Sequence, residues 1–167
     1  MKLPHKFKIA AGGCPNNCVK PDLNDLGIIG QRIKEIDLDK CKGCGKCKIT
    51  EGCPMKAASV VDGKLCIDES ICNNCGRCAG KCPFGAVGAG KPAWKVCIGG
   101  RWGKKVGRGR ALGKLFTSEE EVLAVVEKTI LFYQENGLPG ERFPDTIARL
   151  GFETVEQALL CGSTADR

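Results

Sequence analysis

Cys41-Lys42-Gly43-Cys44-Gly45-Lys46-Cys47, completed by Cys53-Pro54, recurs 31 residues later as Cys72-Asn73-Asn74-Cys75-Gly76-Arg77-Cys78, completed by Cys82-Pro83. Three thiolates at i, i+3 and i+6 let a short loop curl around one face of an iron–sulfur cube, and a fourth, just before a proline, comes from the other run. The pattern assigns Cys41, Cys44, Cys47 and Cys82 to one 4Fe–4S cluster, and Cys72, Cys75, Cys78 and Cys53 to a second. Structural zinc prefers two Cys-x2-Cys knuckles and has no natural place for a third cysteine at the same step. A disulfide framework would suit a short secreted domain, and the N-terminal residues do not resemble a signal peptide.

The two copies differ in one respect. Five residues separate Cys47 from Cys53, whereas three separate Cys78 from Cys82. The longer loop is expected to bulge at the surface and keep its ligand. Gly43, Gly45 and Gly76 suit loops whose backbone approaches sulfide closely, and equally suit plain turns.

A chain of 167 residues accommodates one domain plus a small module. Aromatic residues make up only 5% of it, so the ferredoxin-like part is expected to draw stability from its clusters more than from a hydrophobic core. No apolar run approaches membrane-spanning length. Eight of the 13 cysteines stand in the ferredoxin arrangement, which points to a reducing, anaerobic cytoplasm.

The net charge of +7 is unevenly placed. Residues 91–114 carry eight basic side chains (Lys91, Lys95, Arg101, Lys104, Lys105, Arg108, Arg110 and Lys114) and no acidic one, leaving −1 for the rest. The glycine-rich part from Arg101 to Arg110 could meet a carboxylate-rich cofactor, an anionic substrate or nucleic-acid phosphates, or remain a solvated loop. A nucleic-acid partner is the least favoured, since no folded nucleic-acid motif accompanies the charge.

Along the chain, Phe7 and Ile9 alternate with lysines as in a strand, and 26–30, 32–36 and 94–98 read as further strands. Thr117 or Ser118, with Glu120 or Glu121 three residues on, caps a helix over Val122, Val125, Val126, Thr129, Ile130 and Phe132-Tyr133 that ends at Asn136-Gly137. A second helix covers 144–150, with Pro144 in its first turn, and a third, capped by Thr154 and Gln157, runs from Val155 to Leu160. Cys66, Cys97 and Cys161, each beside apolar residues, are expected to be small core residues. The fold class is α+β.

Taken alone, Cys14-Pro15-Asn16-Asn17-Cys18 could be two buried thiols, a redox pair or half of a metal site. With its flanks, Leu3-Pro4-His5-Lys6-Phe7-Lys8-Ile9 and Lys20-Pro21-Asp22-Leu23-Asn24-Asp25-Leu26-Gly27, it resembles the siroheme-dependent sulfite and nitrite reductases. The dissimilatory and anaerobic branches are most similar, because they carry a ferredoxin module within the reductase domain. Val96-Cys97-Ile98-Gly99-Gly100-Arg101-Trp102-Gly103 looks like the family's strand after the insert, and Ser118-Glu119-Glu120-Glu121-Val122, Tyr133-Gln134-Glu135-Asn136-Gly137 and Gly140-Glu141-Arg142-Phe143 look like its closing helices.

The resemblance implies three segments: 1–36 from the siroheme and cluster-binding part of the reductase domain, 37–92 an inserted two-cluster ferredoxin module, and 93–167 the C-terminal return, forming a mixed sheet with C-terminal helices. It further implies that Cys14 and Cys18 belong to a third 4Fe–4S cluster coupled to siroheme, with Cys18 the bridging thiolate. The family's first cysteine pair and its sulfite-gripping cations lie upstream of the residues matched here. The chain is therefore expected to be the C-terminal, electron-input portion of a longer reductase, without catalytic residues of its own and inactive alone. Its partners would be an electron-donor protein and the remainder of the reductase or a homologous subunit, with sulfite or nitrite the parent enzyme's substrate. Lys42, Lys46, Lys48, Arg77 and Lys81 would favour the reduced clusters and attract an acidic donor, or serve solubility alone. The alternative is a stand-alone two-cluster ferredoxin.

Overall fold

The computed structural model describes residues 2–161. The chain divides into two compact units, one of residues up to 13, 17–29 and from 94 onward, the other of residues 14–16 and 30–93. Its elements in order are β1 (Ile9–Gly12), β2 (Leu26–Ile33), α1 (Lys48–Gly52), β3 (Ala58–Val61), β4 (Lys64–Ile67), β5 (Lys91–Ile98), β6 (Arg110–Phe116), α2 (Glu119–Asn136), α3 (Phe143–Leu150) and α4 (Phe152–Leu160). A four-stranded sheet has the order β1-β2-β5-β6. It is mixed, since β1 and β2 run parallel and β5 and β6 antiparallel.

In the first unit the helices cover the sheet. Val122, Val125, Thr129 and Tyr133 recur at helical spacing along α2, and all four are buried. With Phe143 and Ile147 of α3 and Phe152, Val155 and Leu159 of α4 they meet Leu26, Val96, Ile98, Leu112 and Phe116 of the sheet. Phe7, Tyr133 and Phe143 form an aromatic trio with ring centroids 5.3–5.6 Å apart. The Ser118 hydroxyl accepts the Glu121 amide at 3.2 Å, and the Glu121 carboxylate accepts the Thr117 amide at 2.9 Å. Three glutamates in the first turn complement the helix dipole.

Other expectations are corrected. The segments 26–30 and 32–36 form one strand, β2, ending at Ile33. α4 begins at Phe152, with Thr154 inside its first turn, because Gly151 (φ +88°) both closes α3 and opens α4. Cys97 is buried, but Cys66 and Cys161 are exposed.

The basic stretch is largely neutralised within the protein. Arg101 exchanges both backbone hydrogen bonds with Gly107 and forks onto Asp145 at 2.9 and 3.1 Å. Arg108 pairs with Asp22, Arg110 with Glu153, Lys114 with Glu121 and Lys91 with Glu35, so five of the eight cations have acidic partners. From Arg110 on, the stretch is strand β6 rather than loop.

In the second unit, β3 and β4 form a hairpin across Asp62-Gly63, both with left-handed φ (48° and 70°), as a two-residue turn of this kind requires. The enlarged loop between Cys47 and Cys53 exposes Lys48, Glu51 and Gly52 at the surface but is not irregular. It folds as α1 and buries Ile49, which joins Leu65 and Val87 in a small core. One apolar side chain at the right register turns extra residues into a wall.

A candidate iron–sulfur site

The two cysteine loops share a backbone device. The residue before the middle cysteine is left-handed in each, Gly43 at φ +62° and Asn74, its counterpart 31 residues on, at φ +53°. Gly43 has no latitude, because a Cβ there would overlap the Gly63 carbonyl of the β3–β4 turn. At Asn74, a residue type that tolerates this conformation, the side chain is put to use.

Cys72, Cys75 and Cys78 line one cavity together with Cys53, which arrives from the far end of α1. Ile49, Pro54, Met55, Ala57 and Ile67 complete an apolar wall, and Arg32, Lys34 and Arg77 supply positive charge. The cavity has ≈ 430 Å³ of atom-free space, part of it continuous with solvent. No carboxylate lines it, so the donor set is soft sulfur and suits iron–sulfur chemistry rather than a hard cation. Burial pushes the Cys78 thiol up from its ordinary pKa. The Asn73 Oδ1 atom is buried without a hydrogen-bond partner.

Cys41, Cys47 and Cys82 pack against Ile49, Leu65 and Val87, the core that Cys78 also touches. Cys44 is half-buried in the same loop. The Leu65 amide donates to the Cys41 sulfur at 3.4 Å, and the Gly43 and Leu65 amides together hold that thiol below its ordinary pKa. Cys14 and Cys18 are exposed, in the connection between the parallel strands β1 and β2. That connection is shaped locally by the Lys20 amide, which donates to the Asn17 side chain at 2.7 Å.

Lys34 is a residue that sequence reasoning missed. Its ammonium donates to Glu69 Oε2 at 2.7 Å, to Asn74 Oδ1 at 3.2 Å and to the Cys72 sulfur at 3.5 Å. Its side chain is only 10% exposed. Burial pulls its pKa down, but hydrogen bonds to Glu69 and Cys72 and their negative charge more than offset this, leaving it above the ordinary value. Nothing in local spacing links Lys34 to Cys72, 38 residues away.

Residues 1–161 match the family described as the nitrite and sulphite reductase 4Fe-4S domain. The chain is 35% identical over 130 residues to the coenzyme F420-dependent sulfite reductase of Methanocaldococcus jannaschii, covering 78% of this chain and 20% of that protein. It is 36% identical over 145 residues to one of the anaerobic sulfite reductase subunits of Salmonella typhimurium, covering 83% of this chain and 41% of that one. An uncharacterized ferredoxin of M. jannaschii is 26% identical over 81% of this chain and 83% of its own length. In fold, the chain resembles the crystal structure of dissimilatory sulfite reductase I, with TM-score 0.65 and 24% identity over 97% of this chain and 44% of that one. The chain thus spans a fifth to two fifths of the length of the two sulfite reductase proteins.

Proposed function

Because this chain belongs to the nitrite and sulphite reductase 4Fe-4S domain family, we propose that it carries electrons toward the siroheme of a sulfite or nitrite reductase. On this reading, residues 37–92 are a two-cluster ferredoxin module inserted between reductase segments 1–36 and 93–167. Cys41, Cys44, Cys47 and Cys82 hold one 4Fe–4S cluster, and Cys72, Cys75, Cys78 and Cys53 hold the other. Cys14 and Cys18 serve a third cluster, with Cys18 shared with the siroheme iron. When bound, the clusters supply one-electron storage and the siroheme supplies the centre at which sulfite or nitrite is reduced.

The chain's own part is to fix the sulfurs, line them with apolar walls and set the local charge. Lys48, Arg77 and Lys81 line an exposed hollow beside Cys78, with Glu51 their only acidic neighbour there. Such a surface suits an acidic electron-donor protein. Thiolate ligation on this scale calls for a reducing, anaerobic compartment, the cytoplasm.

The observation that carries the reading is the presence of Cys53 in one cavity wall with Cys72, Cys75 and Cys78, although 18 residues separate it from the first of them. An exchanged fourth ligand is the mark of paired cubanes. The test is iron and sulfide analysis, with low-temperature electron paramagnetic resonance (EPR), of the full chain reconstituted anaerobically. Cys53→Ala should lose one cubane signal, while Cys66→Ala, whose thiol is exposed on β4, should retain both. Equal metal content in wild type and both variants would sink the assignment.

A second reading, a ferredoxin-type carrier without siroheme, is favoured by the ferredoxin relative that this chain covers for most of its length. Roughly eight irons per chain without siroheme absorbance, in protein purified from its native host, would select the carrier; roughly twelve with siroheme bands would select the reductase.

A further inference from the structure

The cysteine repeat extends further than its ligands. Residues 34–41 (Lys34-Glu35-Ile36-Asp37-Leu38-Asp39-Lys40-Cys41) align with 65–72 (Leu65-Cys66-Ile67-Asp68-Glu69-Ser70-Ile71-Cys72) at the same offset of 31. The copies share more than letters: Asp37 Oδ1 accepts the Asp39 amide, and Asp68 Oδ1 accepts the Ser70 amide. Each copy also serves the first cysteine of the other. Leu65 reaches the Cys41 sulfur through its neutral backbone amide, whereas Lys34, the residue equivalent to Leu65, reaches the Cys72 sulfur through a charged ammonium.

We propose that Lys34 makes the two ferredoxin-type clusters unequal, so that an electron shared between them rests on the one held by Cys53, Cys72, Cys75 and Cys78. Reduction adds a negative charge to a cluster, and a fixed positive charge beside one ligating sulfur stabilises that added charge. The effect is strong where water is excluded and weak where it is not. The Lys34 side chain is 10% exposed, while that of its counter-ion, Glu69, is 71% exposed and correspondingly screened. Arg32 and Arg77 line the same cavity and act in the same direction, though both are exposed.

The first copy has no equivalent. Lys64, whose charge acts on the Cys41 thiol, is exposed and donates to the Leu38 and Cys41 carbonyls at 2.8 and 3.2 Å rather than to sulfur. Lys42 and Lys46 are exposed as well. Asn74 adds to the asymmetry, because its side chain holds the Lys34 ammonium at a position where the first copy has only Gly43.

This inference rests on the cluster assignment above, and its test separates the two. The full chain, reconstituted anaerobically with iron and sulfide, is titrated with a low-potential reductant and followed by EPR. Wild type should show two one-electron steps. Lys34→Met should lower the reduced-to-oxidised ratio of the higher step at least tenfold at fixed potential, about 59 mV for a one-electron couple, and leave the lower step in place. Lys34→Arg should stay near wild type. Glu69→Gln, which removes the opposing charge, should move the same step the other way. Should Lys34→Met fail to take up its iron, Glu69→Gln and Lys34→Arg decide the matter. Full iron content with neither step moved, both steps moved together, or Glu69→Gln shifting in the same direction as Lys34→Met would overturn the proposal. Absence of any cubane signal in wild type would instead remove the assignment beneath it.

Discussion

Arg142 lays one guanidinium nitrogen against both carboxylate oxygens of Asp25, at 3.0 and 2.9 Å, and Asp25 is fully buried. The same carboxylate accepts the Lys8 amide at 2.9 Å, and the Asp25 carbonyl accepts the Gly99 amide at 2.9 Å. One aspartate thus ties the entry to β1, the exit of β5 and the start of α3. Removing one partner of such a pair leaves a buried charge uncompensated, which costs about 3–5 kcal/mol. Asp25→Ala and Arg142→Met should each lose stability on that scale in denaturant titrations followed by helical circular dichroism. Replacing both residues together with apolar ones should recover much of the loss. Single variants within about 1 kcal/mol of wild type would show the pair to be incidental.

Gly43 and Asn74 occupy equivalent left-handed positions with different freedom. A Cβ at residue 43 would have to pass through the Gly63 carbonyl, and the left-handed conformation itself disfavours alanine. Gly43→Ala should therefore distort the loop from Cys41 to Cys47 and reduce the iron retained by the reconstituted chain by about half, one cubane of two. Asn74→Gly keeps the conformation and should retain full iron. The same iron content in both variants would remove the steric argument.

What could be read from sequence follows from how local each feature is. The Ser118–Glu121 cap and the apolar stripe of α2 are written within a few turns of chain, so periodicity finds them. Ile49 could not be placed the same way. In isolation the five residues between Cys47 and Cys53 look like a surplus, and only packing against Leu65 and Val87 makes a helical turn the better solution. β6 was hidden by its charges, because Arg110 and Lys114 look solvated until Glu153 and Glu121 are brought alongside. Within the candidate site, the cysteine spacing led to the cavity containing Cys53, Cys72, Cys75 and Cys78. Lys34 had no such signal, since its role depends on a contact made only in the folded chain.

Glu141 binds its proton far less readily in the folded protein than a usual glutamate. The Arg149 guanidinium holds it at 3.0 and 2.9 Å, the Leu138 amide donates to it at 3.0 Å and the Thr146 hydroxyl at 2.9 Å. Arg149, with help from that amide, brings its pKa from 4.5 to about 2. A carboxylate depressed on folding contributes stability that is whole above the unfolded value and fades as pH falls through the folded one. The Glu141 contribution should therefore be constant above pH 4.5 and shrink between there and about 2. Glu141→Gln lacks it at every pH. The gap in denaturation midpoint between wild type and Glu141→Gln should stay level from about pH 7 to about pH 5, then close in acid. Glu121, drawn to about 2 first by Lys114 and then by the Thr117 amide, should give the same profile in Glu121→Gln. A gap that widened in acid would mean that these carboxylates are not held charged by their partners.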